Sequence, residues 1–440
     1  MRLTNVAQMA LPQGRLLSFA VLAGATGRRL PVSFDQGRHV GQGQRPGSWM
    51  AIAARLPEHA GPERVARAWL AVVARHGTFR TVFSRDDAGG LALHEVQVTP
   101  GEWIGHEVPR GWTTRDVLRE VFDAACAPFE RPSYRLALVL PDASEPDPRP
   151  VVVLGADHAH VDMWSFLVVL RDLYEALADL EAGRPAGAGF APAAGFAEHS
   201  AALEARPRAP AEVHRRWAEI LDAGGGVMPR FPLPLGDPAD ARASVVEVRD
   251  LLDAGQAAAL AEQAHAGGVR TIAVAMSVLA RVTADLAGVP LRAVFPVHSR
   301  DEERWRDSVG WYITNSVLEL ADPDPQACAR AVREAMVLGS HPLAPILAPY
   351  GGMPVASGMF AISWLDTRRL PALPPDAAVQ YVSAIVRDDG VMVWFIVNDT
   401  GLHLRARYPD TPQARTNVRA WLDAVQRGLL DVVSGPGTVP

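Results

Sequence analysis

The 440-residue chain contains no lysine, so all 43 of its basic residues are arginine. That absence removes the side chain that forms Schiff bases or acts as an amine nucleophile. Cysteine is almost missing too. Cys126 and Cys328 lie far apart and outside any CxxC spacing, which excludes a disulfide framework and fits free thiols in a reducing, cytoplasmic setting. The 13 histidines are scattered, and the string His158-Ala159-His160-Val161-Asp162 has no further Cys or His at ligand spacing, so no metal site is expected. There is no phosphate loop of the Walker or dinucleotide type, because the glycines at 224–226 lack the accompanying Lys and helix start. Long apolar runs are also missing. Leu16 to Ala23 is too short to span a bilayer, has no basic segment before it, and reads as a first core strand. A formal net charge of -6 argues against nucleic acid or an anionic membrane as a partner.

What is present describes an ordinary globular protein. Hydrophobic residues make up 48% and charged residues 21%, and the length suits two domains or one large two-lobed unit. Apolar spacing predicts helices over Glu63 to Arg75, Thr113 to Ala127, Gln256 to Ala266, Thr271 to Ala287 and Gln413 to Leu430. Strands are expected at Phe79 to Phe83, Tyr134 to Leu140 and Leu291 to Val297, with a hairpin turning through Asn398 to Gly401. Residues 183–195 are rich in Gly, Ala and Pro and read as a linker between a lobe at 1–182 and a lobe at 196–440. The pattern is mixed α/β (α+β) throughout, without a fixed-period repeat.

The most informative stretch is Asp157-His158-Ala159-His160-Val161-Asp162-Met163-Trp164-Ser165. It follows the apolar run Val151 to Ala156, a core strand, and precedes Phe166 to Leu180, whose apolar residues recur at helical spacing. A histidine on a strand-to-helix turn sits at the rim of a rigid element, which suits a general base. Asp162, at the helix start, is placed to cap free backbone N–H groups. Read alone, the string equally describes ordinary loop histidines.

This segment resembles the HHxxxDG signature of the condensation-domain superfamily, the nonribosomal peptide synthetase condensation domains and their free-standing acyltransferase relatives. In that register Asp157 replaces the first His, His158 is the second, Asp162 is the Asp, and Met163 replaces the Gly. Three further stretches are similar to that family in the same order. Arg75 to Phe83 (RHGTFRTVF) resembles RHExLRTxF, Pro132 to Ala137 (PSYRLA) resembles PLxRxx, and Ser308 to Asn315 (SVGWYITN) resembles IGxFVNT with its last two residues interchanged.

The resemblance implies two chloramphenicol-acetyltransferase-like lobes arranged as a V-shaped pseudo-dimer with a tunnel between them. It implies that His158 takes or positions the proton of an amine or hydroxyl attacking an acyl thioester, with His160 at a variable, structural position. Asp162 would pair with an arginine after a strand of the second lobe. Arg300 in PVHSR is the candidate, with Arg304 and Arg306 as rivals. Asp157 would stand beside His158, raising its pKa or holding its tautomer. Met163, Trp164, Ser165, Trp311, Tyr312 and Asn315 would line the substrate tunnel, although Trp311 and Tyr312 equally fit a plain core. Trp49, Trp69, Trp364 and Trp394 are expected to pack. No cofactor is implied beyond the phosphopantetheine or CoA arm that carries the thioester. The expected partners are an acyl or peptidyl carrier protein in trans and a small amine or alcohol. Loss of the first His and of the Gly leaves two other readings open, recruitment of a partner enzyme to a carrier-bound intermediate, or cyclisation or rearrangement in the same tunnel.

Overall fold

In chain order the computed structural model places β1 at Arg2–Asn5, β2 at Gly14–Leu30, α1 at Phe34–Gly41, β3 at Trp49–Arg55 and α2 at Pro62–Arg75. Next come β4 at Thr81–Arg85, β5 at Leu91–His106, α3 at Thr114–Ala125, β6 at Tyr134–Pro141, β7 at Val151–Asp157 and α4 at Met163–Glu181. Then follow α5 (Phe196–Glu204), α6 (Ala211–Ala223), β8 (Val245–Asp253), α7 (Ala254–Ala266), α8 (Thr271–Ala287), β9 (Leu291–His298) and β10 (Ile313–Leu320). The chain finishes with α9 (Pro325–Gly339), α10 (Leu343–Leu347), β11 (Phe360–Asp366), β12 (Gln380–Ser383), β13 (Val391–Asn398), β14 (Gly401–Tyr408) and α11 (Pro412–Ser434). The residues described are 2–237, 239 and 244–435, and no helix among them is long and apolar enough to cross a membrane.

The chain forms two compact units. The first holds a sheet in the order β1-β12-β3-β7-β6-β2-β5-β4, antiparallel except for the β1/β12 pair. Strand β7 lies well inside this sheet and every one of its residues is buried, which its unbroken apolar run requires. Gly155 is the exception in that run for a steric reason, since a Cβ there would meet the Phe122 ring at 2.8 Å. Helix α4 is apolar on nearly every side and is buried accordingly. It packs against α2, and the α2 residue Trp69, fully buried, makes edge-to-face contacts with Phe79 and Tyr134.

The second unit carries a sheet in the order β10-β9-β11-β13-β14-β8. Strands β9, β11 and β13 run parallel, while β14 and β8 complete an antiparallel edge. One face packs on α8 and α11 around Phe360, Val393, Phe395, Leu404 and Trp421.

Four features depart from the expectation. The first core strand is longer than Leu16 to Ala23, and a short strand precedes it. Phe79 to Phe83 is not one strand, because Gly77–Arg80 forms a 3-10 turn before β4. The turn is favoured because Thr81 Oγ1 donates to the Thr78 carbonyl at 2.7 Å and Tyr134 Oη donates to the Phe79 carbonyl at 2.9 Å. Those carbonyls are then occupied without a partner strand. Helix α1 has no counterpart in the sequence reading, although Ser33 and Gln36 form a capping box at its start. Finally, a division at 183–195 does not describe the two units. Residues 196–205, 300–313 and 370–385 all cluster with the first. The physical reason is specific pairing: β12 fills a gap between β1 and β3, and Phe196 packs in a small core with Trp305 and Tyr312.

Candidate active site

Asp157 ends β7, and residues His158–His160 make one 3-10 turn before α4 begins. The turn is closed by its own side chains. Asp157 Oδ1 accepts the Ala159 N–H at 2.9 Å, and His158 Nδ1 lies 2.9 Å from the Val161 carbonyl. A carbonyl oxygen has no proton to give, so Nδ1 carries the proton and Nε2 is left with its lone pair. That is the tautomer a general base needs, supplied by the backbone. The ring is half-buried and stacked on Trp311, with centroids 4.0 Å apart and planes 17° from parallel. Burial holds the imidazole below the ordinary histidine pKa, and His39 pushes it the same way.

Asp162 caps α4, its Oδ1 accepting the Ser165 N–H at 2.7 Å. Its partner is Arg300, whose Nη2 donates to Oδ1 at 2.9 Å and Oδ2 at 3.2 Å. The pair is dry, the side chains being 0% and 2% exposed. The rivals lie elsewhere, since Arg304 and Arg306 are exposed and pair with Glu302 and Glu303. The same arginine donates to Ser165 Oγ at 2.8 Å and lies 3.9 Å from the Tyr312 ring centroid and 5.2 Å from that of Trp164. Asp162 Oδ2 also accepts the Tyr312 N–H at 3.0 Å. These bonds fasten the segment 300–312 to the first turn of α4, and that segment carries Trp311. Gly310 has to be glycine for this close approach, because a Cβ there would sit 2.3 Å from Phe196 Cγ.

Three expected roles need correction. Asp157 does not hold the His158 ring. Consecutive side chains along an extended strand end point to opposite sides, and the carboxylate turns instead to His39 Nε2, at 3.1 and 3.2 Å. Burial alone would raise the Asp157 pKa, but the bonds from His39, Ser48 and the Ala159 N–H outweigh it and hold the carboxyl below its usual value. Ser165 and Tyr312 do not line an open channel. Both are fully buried, Ser165 exchanging hydrogen bonds with Gly310 N–H at 3.0 Å and its carbonyl at 2.8 Å. The Tyr312 hydroxyl bonds Ser308 Oγ at 2.5 Å.

The remaining expected residues fall as follows. Met163 and Trp164 are half-buried at the start of α4, and the Met163 carbonyl accepts the Tyr381 hydroxyl at 2.5 Å. His160 is buried against Phe83 and Thr78, its pKa pushed down to about 4 by burial. Asn315 is half-buried on β10, in the second unit. Trp49 and Trp69 are buried, and Trp364 and Trp394 pack on Phe395 and Arg405. Among the described residues no group of three or more His, Cys, Asp or Glu side chains is arranged to hold a metal ion.

Sequence reasoning missed His39, Arg45 and Tyr381. His39 and Arg45 carry no motif or periodic signal. Tyr381 lies on a four-residue strand that only tertiary pairing defines.

No family model matches the chain. A curated relative, Acyltransferase PapA3 of Mycobacterium tuberculosis, is 22% identical over 421 residues, which cover 89% of this chain and 87% of that protein. The solved structure of PapA2 acyl transferase superposes with a TM-score of 0.84 at 18% identity, covering 99% of this chain and all of that one. The first condensation domain of the calcium-dependent antibiotic synthetase, in complex with a substrate analogue, gives a TM-score of 0.71 at 16% identity and covers 94% and 98% of the two chains. The fold is that of PapA2 acyl transferase and of the condensation domains.

Proposed function

We propose that the protein joins an acyl or aminoacyl group, delivered as a thioester on a phosphopantetheine carrier or on CoA, to an amine or alcohol, forming an amide or an ester. The observation that carries this reading is His158, held by Val161 as the Nδ1–H tautomer and stacked on Trp311 at the end of a buried strand. The acceptor N–H or O–H loses its proton to Nε2 as it attacks the thioester carbonyl. The tetrahedral intermediate then collapses, the C–S bond breaks, and the proton passes from Nε2 to the departing thiolate. A depressed pKa keeps the ring unprotonated near neutrality, at some cost in proton affinity. Asp162 and Arg300 position this machinery and stay clear of the reacting atoms.

The carrier-protein partner follows from the same reading, and the relatives support it in general terms, since several are synthetases that the chain matches over a small part of their length. The test is release of free thiol from acetyl-, octanoyl- and palmitoyl-CoA and the matching acyl carrier proteins, with panels of amines and alcohols as acceptors. The expected result is acceptor-dependent release that His158→Ala loses. Acceptor-dependent release that persists in His158→Ala removes the general-base assignment. The absence of release with every donor and acceptor pair would favour the recruiting role.

A further inference from the structure

The turn that presents His158 is gripped from one side by helix α1. Gln36 Nε2 donates to the Ala159 carbonyl at 2.8 Å, and His39 Nε2 meets both oxygens of Asp157. Arg45 Nη2 lies 3.0 Å from His39 Nδ1 and 3.5 Å from Nε2. A carboxylate can only accept, so His39 carries a proton on Nε2, aimed at Asp157. Contacts then join Arg45, the His39 ring, Asp157 and the Ala159 N–H inside the turn. The His39 ring has a second contact. It stands edge-on to Trp311, with centroids 5.3 Å apart and planes at 76°, and its centroid is 6.1 Å from that of His158. One ring therefore touches the carboxylate that ties the turn and the indole stacked on the candidate base.

We propose that His39 is a positioning residue for His158, holding Asp157 in place under the turn and bracing Trp311 against the His158 ring, with Arg45 holding the His39 ring in place. The sequence is consistent with a matched pair. The motif position where the family has its first His is an Asp here, and the imidazole that faces it comes from α1, 118 residues earlier. His39 need not touch substrate, since both of its nitrogens are engaged within the fold.

The experiment has an arm that needs no activity. Ring-nitrogen NMR of histidine-labelled protein, with His158 assigned by its loss in His158→Ala, reads the tautomer directly. In the wild type His158 should show the Nδ1–H form and His39 the Nε2–H form. His39→Leu should let the His158 signals move toward a tautomer average. His39→Gln, whose amide can both donate to Asp157 and accept from Arg45, should restore most of the wild-type signature. Arg45→Met, at the outer end of these contacts, should shift His158 in the same direction and decides the matter if His39→Leu does not fold. The kinetic arm rests on the acyl-transfer reading. His39→Leu should lower kcat about tenfold or more with KM nearly unchanged, and His39→Gln should recover most of the loss. An unchanged His158 signature in His39→Leu and Arg45→Met overturns the proposal, as does a kinetic loss confined to KM. A wild-type protein that transfers no acyl group refutes the proposed function instead, and the NMR arm then decides the role of His39 by itself.

Discussion

Asp162→Ala should destabilise the first unit by several kcal/mol, and the structure shows where that energy lies. The substitution leaves the Arg300 guanidinium fully buried without its carboxylate, and breaking one side of a buried pair costs about 3–5 kcal/mol. It also strips the Ser165 N–H of its cap, worth about 1 kcal/mol, and frees the Tyr312 N–H. The contributions overlap, because Ser165 Oγ and the Tyr312 ring still solvate the cation. A net loss of about 4 kcal/mol is a large share of a typical 5–15 kcal/mol domain stability. In urea, with a slope of roughly 3 kcal/mol per molar, it moves the midpoint down by about 1 M. Tryptophan fluorescence can follow the transition, since Trp305 and Trp311 lie in the segment that the pair anchors. Replacing both partners, as Asp162→Leu with Arg300→Met, should recover a good part of the loss, because no buried charge is then left alone. An Asp162→Ala protein within about 0.5 kcal/mol of wild type would refute the reasoning and return Asp162 to consideration as a residue that acts on substrate.

His158→Ala should lower turnover by about 10²–10⁴-fold while changing stability by about 1–3 kcal/mol, because the half-buried ring loses its Trp311 stack and its bond to the Val161 carbonyl. Activity and denaturation of the same preparation check both. With the His158 pKa held below the ordinary value of about 6.5, the acid limb of the kcat/KM profile should fall below that value. A limb above it contradicts the burial argument. His160 titrates near 4 when folded and near 6.5 when unfolded, so the unfolded state takes up protons first. The stability this residue contributes is complete above pH 6.5 and declines as the pH falls toward 4. Between pH 7 and pH 5 it should account for about 2 kcal/mol, a loss that His160→Gln should remove from the pH dependence of unfolding. Met163→Gly tests whether the half-buried methionine at the start of α4 limits the donor. A wider range of accepted acyl thioesters shows that the side chain narrows donor access, and an unchanged profile shows that it does not.

Much of the framework was legible because it is local. The all-apolar run of β7, the Asp162 cap and the spacing of Phe166, Val169, Leu170 and Leu173 define a strand, a turn and a helix without help from the rest of the chain. The limits of α8 and of the β13–β14 hairpin were legible for the same reason. Arg300 needed more than local pattern. Its charge alone does not separate it from Arg304 and Arg306, and only the likeness to an ordered set of motifs singled it out. What could not be read was pairing between distant segments. Strand β12 is four residues long, and its place between β1 and β3 depends on the Gln380 amide exchanging bonds with Ala10 across 370 positions. No periodicity encodes that.

The misreading of Asp157 shows where adjacency in sequence misleads. Next to His158 in the chain, it looked like the carboxylate of an Asp–His dyad, which would raise the imidazole pKa. In the fold the chain is still extended at Asp157, with φ -56° and ψ 138°, so the next side chain projects away from it. The carboxylate bonds His39 and the Ala159 N–H; its charge still pushes the His158 pKa upward, but burial and His39 outweigh it. The net shift at His158 is downward, opposite to the one Asp157 alone would give. A carboxylate in direct contact would have favoured the protonated ring, which cannot accept a proton from an incoming amine or alcohol. Aiming Asp157 elsewhere leaves its charge useful for holding the turn while sparing the base. The imidazole that faces this Asp comes from His39 of α1, which bonds the Asp157 carboxylate.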